Sequence, residues 1–434
     1  MKLVSQAEQA IGPPGWQNMD LELYHLTKVN ELLQFSVHWN EFYKRKMGQV
    51  QLPIRSMEEF RSLPFTTKNE LVQDQADHPP YGLNHTYSEA EYIRYHQTSG
   101  TTGRPLKILD TRESWEWWAD CWVDVLRSAG VTKHDRVFLP FSFGPFIGFW
   151  AAYEGAKKLG ALVIAGGGQS SLERLTSILT HRVTVLLCTP SYALHLAEVA
   201  KENGIDIRHS DVQRLIHAGE PGASIPSVRE AIEAAWGAKC YDHCGMTEVG
   251  AYAYSCPVQR GLHVNEIHFL AEVIHPETLR PAAEGETGEL VLTNFGRYGY
   301  PLIRYRTGDI VVNSSEPCPC GNRFRFLPGG IVGRADDMIV VRGVNIFPQS
   351  IEAIVREFPH VSEFRIVYYT EQHMIQLKVQ VEAPEVVVQQ LAQRLRDRIG
   401  LRIDVEAMPA GTLPRFEMKA RRVLDLRHAA GSSA

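Results

Sequence analysis

The apolar positions of the chain change period along its length, and the changes divide it. Between residues 111 and 127, Trp115, Trp118, Trp122 and Val125 recur at the spacing of one helical face. That spacing predicts an amphipathic helix with its tryptophans in the core. Short apolar runs at 136–140, 161–165 and 183–188 come next, each bounded by polar, Gly or Pro residues. Runs of this kind suit parallel strands buried on both faces. Alternating with helical stretches, they predict an α/β domain over residues 1–335. Beyond it the pattern differs. Residues 364–369 read as a strand, and Ile375, Leu377, Val379 and Val381 alternate with Gln376, Lys378 and Gln380, as in a half-exposed strand. Pro384 opens a helix with Val387, Val388, Leu391, Leu395 and Ile399 inward, and 403–407 returns as a strand. Residues 336–434 therefore predict a smaller α+β domain.

Composition narrows the classes. The chain has 434 residues, enough for one large and one small core. Its 44% hydrophobic and 22% charged residues are those of a globular protein. A formal net charge of -5 argues against nucleic-acid binding, which favours basic surfaces. The first residues lack the apolar run of a signal peptide, and no stretch reaches the roughly 18 apolar residues of a membrane span. Seven cysteines, an odd number, do not form a disulfide framework. These features read together as a cytoplasmic enzyme with reduced thiols and no membrane or nucleic-acid partner.

The stretch from Thr98 to Pro105 concentrates chemistry: Thr98, Ser99, Thr101 and Thr102 supply hydroxyls, and Gly100 and Gly103 supply freedom. Glycines let backbone N–H groups close around an anion, and hydroxyls add donors. The stretch suits a polyphosphate cradle or, equally, a solvated polar turn. It is not a P-loop, because GxxxxGK[ST] is absent and Lys107 falls too late.

TSGTTGRP also resembles the phosphate loop of the adenylate-forming superfamily of acyl-CoA ligases, luciferases and adenylation domains. Further matches occur in order: His217 to Pro221 beside the adenine, Tyr241 to Glu248 for the aromatic-Gly-x-Thr-Glu motif, Tyr305 to Asp309 for the ribose, Gly333 to Asp337 for the hinge, and Leu413 to Lys419 for the C-terminal lysine. Within the superfamily, PLIRYRTGD at 301–309, RGVNIFP at 342–348 and CPCG at 318–321 resemble phenylacetate–CoA ligases.

The resemblance implies that ATP and an acid form an acyl-adenylate, whose acyl group then passes to coenzyme A with release of AMP and pyrophosphate. It assigns the β- and γ-phosphates to loop 98–105, the α-phosphate to Thr247, and Mg²⁺ to Glu248, a hard oxygen ligand. Asp309 would accept from both ribose hydroxyls, and Arg334 would lie near ribose and phosphate. Asp242 and the segment Gly219, Glu220 and Pro221 would flank the adenine. Lys419 would bridge carboxylate and α-phosphate, a task suited to a point charge on a long stem. Asp336 resembles the hinge about which the small domain turns between half-reactions, although Asp337 beside it leaves the register open by one residue. The resemblance also implies a homodimer, and it brings the segment 342–348 toward the CoA thiol channel.

Residues 138–150 are dense in phenylalanine, which suits either a wall for a flat apolar acid or a core strand and helix start. Phe141 and Phe146 are the expected acid contacts, with Ala218 and Gly219 opposite. His243 and Cys244 depart from the residues usual in the motif. They admit a polar ring substituent, so benzoate or 2-aminobenzoate competes with phenylacetate. Cys256, His263, Cys318 and Cys320 offer three thiolates and an imidazole, a set that suits tetrahedral Zn²⁺; free cysteines with a surface histidine are the other reading. For the activity, the competing readings are an enzyme that loads a carrier-protein thiol, a non-catalytic binding protein, and a phosphotransferase yielding ADP.

Overall fold

The structure is a computed structural model that describes residues 19–98, 104–141, 144, 147, 149–220, 222–341, 344–371, 374–416 and 422–427. Helices α1 (Leu21–Trp39), α2 (Glu41–Met47), α3 (Met57–Arg61) and α4 (Lys68–Asp77) come first. Each starts at a polar cap whose side chain accepts a backbone N–H of the first turn: Asp20, Asn40, Ser56 and Thr67. A hairpin of β1 (Tyr92–Gln97) and β2 (Lys107–Thr111) then leads into α5 (Arg112–Ser128). The helix read from the tryptophan spacing is α5, and Trp115, Trp118 and Trp122 are all buried in the main core.

Next come β3 (Arg136–Leu139), α6 (Trp150–Leu159), β4 (Leu162–Ala165), α7 (Ser171–Thr180), β5 (Val185–Cys188), α8 (Pro190–Glu202), β6 (Arg214–His217), α9 (Pro226–Trp236) and β7 (Lys239–Met246). Their five strands run parallel in the order β4, β3, β5, β6, β7. Alternate residues face two cores. Val137, Leu139, Val185, Leu187 and Ile216 point to α5 and α6, while Phe138, Leu186 and Leu215 point to α7, α8 and α9. Burial on both faces explains the unbroken apolar runs of β3 and β5, whereas β4 departs from the expectation: it lies at the edge of the sheet, with Leu162 58% exposed and Ala165 exposed.

The antiparallel part of the large domain left no sign in the pattern of apolar positions. β8 (Gly250–Tyr254), β9 (Gly261–Val264) and a later strand, Phe326–Pro328, extend the same sheet antiparallel from β7. A second, antiparallel sheet contains β10 (Phe269–Ile274), β11 (Thr287–Asn294), β12 (Tyr305–Val312) and β14 (Gly333–Arg334). The strand Phe326–Pro328, which lies between the last two in sequence, is β13.

After the short turn 335–337, β15 (Ile339–Val341) and β16 (Val344–Ile346) pair, and α10 (Pro348–Val355) comes after them. β17 (Phe364–Glu371), β18 (Met374–Val381), α11 (Glu385–Ile399), β19 (Asp404–Ala407) and β20 (Val423–Asp425) complete a four-stranded sheet with its own apolar cluster. The architecture is that of a large α/β domain followed by a small α+β one. Two details differ from expectation. Pro384 is the cap of α11 and lies just outside it. Gln376 and Gln380 of β18 are also buried, so the strand has no open polar face. Gln380 accepts from Arg365 at 2.7 Å and donates to Glu406 at 2.9 Å, which satisfies it under cover.

Candidate functional site

The parallel strands end at one edge, where loops can gather around a ligand at a change of sheet direction. At the end of β6, His217 is fully buried and its Nδ1 lies 3.0 Å from the Cys188 carbonyl oxygen. Ala218 is half-buried against the main core, and Gly219 turns the chain at φ +92°, a conformation that favours glycine. Glu220 reaches the start of α8, where it accepts from the Ser191 N–H at 2.7 Å and from the Ser191 hydroxyl. A carboxylate is well placed at that positive helix end. Pro221 lies outside the described residues.

At the end of β7, Asp242 holds Ser224, accepting from its N–H at 2.9 Å and its hydroxyl at 2.5 Å. Its other oxygen faces the His243 N–H at 3.1 Å. Burial pushes the Asp242 carboxyl up to about 6, against these hydrogen bonds. Asp242 thus braces the loop after Gly222 through its side chain. His243 lies against Trp122, ring centres 4.2 Å apart, and neither of its ring nitrogens has a hydrogen-bond partner among the described residues. Burial lowers its pKa to about 3, so the imidazole is neutral. Phe141 packs edge-on to Phe149 at 5.4 Å; Phe146 lies outside the described residues.

Thr247 and Glu248 form the turn between β7 and β8, and a buried arginine fixes it. Arg297 Nη1 donates to the carbonyls of Thr247 and Glu248, both at 2.8 Å. Its Nε and Nη2 each donate to Asp110 at 2.6 Å, and both side chains are fully buried. The guanidinium lies 4.5 Å from the centre of the Trp118 ring. The Glu248 side chain is nearly buried and meets Lys68 of α4 at 3.0 Å. Lys68 is 38% exposed, so its long chain has room to withdraw. The Glu248 carboxylate is a hard oxygen donor of the kind that Mg²⁺ prefers.

Asp309 of β12 sits across from this turn. Its Oδ2 accepts from the Tyr252 hydroxyl at 2.6 Å, and Oδ1 accepts from Arg334 Nη1 at 2.8 Å. A carboxylate has about four acceptor positions, so two remain for a diol. Burial raises the Asp309 pKa, Arg334 and Tyr252 oppose it, and the nearby Glu248 charge adds to the rise. Gly308 combines φ +74° with a tight approach: an added Cβ would stand 2.9 Å from Arg334 Nη2. Arg334 also lies 3.6 Å from Asp336, which is exposed in the turn 335–337.

Of the phosphate loop, Thr98 is described and buried. Its hydroxyl accepts from the Leu106 N–H at 3.0 Å, and its own N–H donates to the Leu106 carbonyl at 3.0 Å, closing the loop's base. Ser99, Gly100, Thr101, Thr102 and Gly103 lie outside the described residues, as does Lys419.

The flanks of the lysine segment are fixed. Glu382, with a side chain 1% exposed, accepts from Arg415 at 2.8 Å and from the N–H groups of Leu413 at 2.7 Å and Gly411 at 3.0 Å. Burial alone would raise its pKa, but Arg415 and those N–H groups outweigh it and lower it to about 2. A carboxylate with a depressed folded-state pKa stabilises the fold above its ordinary range, and that stability is lost as pH falls through about 2. Glu382→Gln is therefore expected to lower the thermal midpoint near pH 7 by several degrees and to flatten its fall in acid, as thermal melts between pH 2 and 7 would record.

Sequence reasoning missed Arg297, Asp110, Lys68, Tyr252, Ser224 and Ser191. Each acts through a partner distant in sequence or through a carbonyl, so none left a local pattern.

The AMP-binding enzyme family model matches residues 52–296, and the AMP-binding enzyme C-terminal domain model matches residues 343–427. A phenylacetate-coenzyme A ligase of Thermus thermophilus is 32% identical over 431 residues, covering 92% of this chain and 95% of that protein. The structure of a 2-hydroxyisobutyryl-CoA ligase in the postadenylation state with R3-HIB-AMP is similar at a TM-score of 0.89 and 29% identity, over 98% of this chain and 92% of that one. The same ligase in the thioesterification state, with 2-HIB-AMP and CoA, gives a TM-score of 0.71 at 30% identity, again over 98% and 92%.

Proposed function

Because the chain belongs to the AMP-binding enzyme family, we propose that this AMP-forming acid–CoA ligase acts on an aromatic carboxylic acid. Phenylacetate, benzoate and 2-aminobenzoate are the acids of that class. ATP and CoA are the co-substrates of such ligases, and Mg²⁺ serves them generally.

In the first half-reaction a carboxylate oxygen attacks the α-phosphorus of ATP, the α–β phosphoanhydride bond breaks, and pyrophosphate leaves. In the second, the CoA thiol loses its proton and attacks the acyl carbon, and AMP departs from the mixed anhydride. Catalysis here is largely positioning and charge stabilisation. Asp309 accepts from the ribose hydroxyls while Tyr252 and Arg334 hold its carboxylate in place. Arg297 fixes the Thr247–Glu248 turn, so the Thr247 hydroxyl meets the α-phosphate from a rigid backbone. Glu248 would hold Mg²⁺, whose charge screens the phosphates when bound. Loop 98–103 supplies donors to the outer phosphates, and Lys419 supplies the charge between carboxylate and α-phosphate. Gly219, Glu220 and Pro221 flank the adenine, with Asp242 bracing the adjacent loop. The small domain, residues 336–434, turns about Asp336 between the half-reactions. Its present arrangement is nearer the postadenylation relative than the thioesterification one, with TM-scores of 0.89 and 0.71.

The observation that carries the aromatic reading is the neutral His243 imidazole against Trp122, a flat surface whose ring nitrogens have no hydrogen-bond partner among the described residues. With Phe141 and Ala218 it offers an apolar wall and one polar contact, which suits an aryl ring bearing a hydroxyl or amino group. A screen of pyrophosphate release with phenylacetate, benzoate, 2-aminobenzoate and 2-hydroxyisobutyrate tests the reading. The expected result is AMP formation with kcat/KM at least tenfold higher for an aryl acid. A preference for 2-hydroxyisobutyrate would defeat it.

A further inference from the structure

Away from the nucleotide residues, Cys256, His263, Cys318 and Cys320 converge. Cys256 lies just after β8, His263 lies in β9, and Cys318 and Cys320 lie in the segment between β12 and β13. Their ligand atoms all lie within 4.8 Å of one another. We propose that these four residues hold one structural Zn²⁺.

The spacings fit a tetrahedron. Zn–S bonds of about 2.3 Å and Zn–N bonds of about 2.0–2.1 Å give tetrahedral edges of about 3.8 Å between sulfurs and about 3.6 Å from sulfur to nitrogen. The Cys256 and Cys318 sulfurs are 3.7 Å apart, and Cys320 Sγ lies 3.4 Å from His263 Nε2. The sulfurs are therefore at the distance of shared coordination, well beyond a covalent S–S bond. Three thiolates with one imidazole is a zinc set, and coordination would release the thiol protons to solvent.

The surroundings orient the ligands. His263 Nδ1 lies 3.2 Å from the Phe324 carbonyl oxygen. A carbonyl only accepts, so Nδ1 carries the proton and the Nε2 lone pair points at Cys320. Metal-bound histidines are commonly oriented by such a second hydrogen bond. The Asn322 N–H donates to Cys320 Sγ at 3.4 Å, and Gly321 turns at φ +81° with its N–H on the Cys318 carbonyl at 3.1 Å. Cys256, His263 and Cys318 are buried, while Cys320 is exposed at the rim.

The location gives the metal a purpose. Residues 313–325 join β12 to β13 without a helix or strand, an unusually long irregular connection for a compact domain. A metal tying this connection to β9 and to the end of β8 would order it and limit its alternatives. β8 carries Tyr252 and β12 carries Asp309, which share the 2.6 Å hydrogen bond at the ribose position. The clamp would thus steady the outer ends of the two strands that present these residues.

The test is elemental analysis of the full chain, purified without chelators and freed of any affinity tag. One zinc per chain is expected, with content reduced at least tenfold in Cys318→Ser/Cys320→Ser and unchanged in Cys121→Ser. Because the double variant could fold poorly, the wild-type protein is also treated with a mercurial and the released zinc is read with a chelating dye. Release of one equivalent, together with new tryptic cleavage at Arg323 or Arg325, supports the site. Wild-type protein with less than a tenth of an equivalent of any metal, or with a Cys256–Cys318 disulfide by mass spectrometry, overturns it.

Discussion

Arg297→Met is expected to destabilise the protein by about 3–5 kcal/mol, the cost of leaving one member of a buried ion pair alone. Asp110 would remain fully buried without its bidentate partner, and the carbonyls of Thr247 and Glu248 would lose their shared donor. Methionine fills part of the volume over Trp118 but replaces none of the four hydrogen bonds. Lysine would not restore them either, because a point charge cannot span the fork of a guanidinium. The thermal midpoint and the adenylation rate would both fall. The double variant Asp110→Leu/Arg297→Met separates the causes. Removing both charges should recover most of the stability, since an apolar pair can replace a buried ion pair. It should not recover adenylation, because the Thr247–Glu248 turn would still lack its anchor. Recovery of both would show that Arg297 acts only on stability; melts and pyrophosphate-exchange rates decide between them.

That clamp also marks where sequence reading ran out. The helix α5 was legible because its core imposes a helical period, and β3 and β5 because burial on two faces leaves unbroken apolar runs; β4 carries such a run as well, although it lies exposed at the sheet edge. The segments 241–248 and 305–309 stood out because their residues are contiguous. The group of Cys256, His263, Cys318 and Cys320 stood out by residue type alone, although nothing in the spacing required Cys256 to meet Cys318 across 62 positions. Arg297 was invisible for the opposite reason. Arginine is the commonplace residue of a solvated loop, and its partner Asp110 lies 187 positions away. Tyr252 is apolar in pattern and reads as a core residue of β8, while its hydroxyl reaches Asp309, 57 positions on. Lys68 sits at the start of α4, where a lysine has no distinctive signal, and its meeting with Glu248 depends on the packing of α4 near β12. Residue type and local period therefore show which groups are present, whereas the supports that aim them arise only from tertiary contacts.

Lys419→Ala is expected to lower adenylate formation about 10³-fold, the scale of losing one charge stabiliser at a reacting centre. In sequence, Lys419 lies between two residues of the small domain that are held by ion pairs. On one side Arg415 pairs with Glu382 at 2.8 Å. On the other, Arg422 pairs with Glu363 at 2.6 Å, and its carbonyl accepts from the Ile366 N–H at 2.7 Å. Glu363 and Glu382 lie next to β17 and β18, and Arg422 directly precedes β20, so both anchors belong to the small domain. If the domain turns about Asp336 after adenylation, Lys419 leaves with it and cannot serve the thioester step. Acyl transfer to CoA from a supplied acyl-adenylate should then stay within about threefold of wild type. Lys419→Arg keeps the charge but changes its shape, so it should recover only part of the first step. Pyrophosphate exchange reads the first half-reaction and thioester formation from the purified adenylate reads the second. Equal losses in both would remove Lys419 from the first step specifically and would argue against a domain turn between the two.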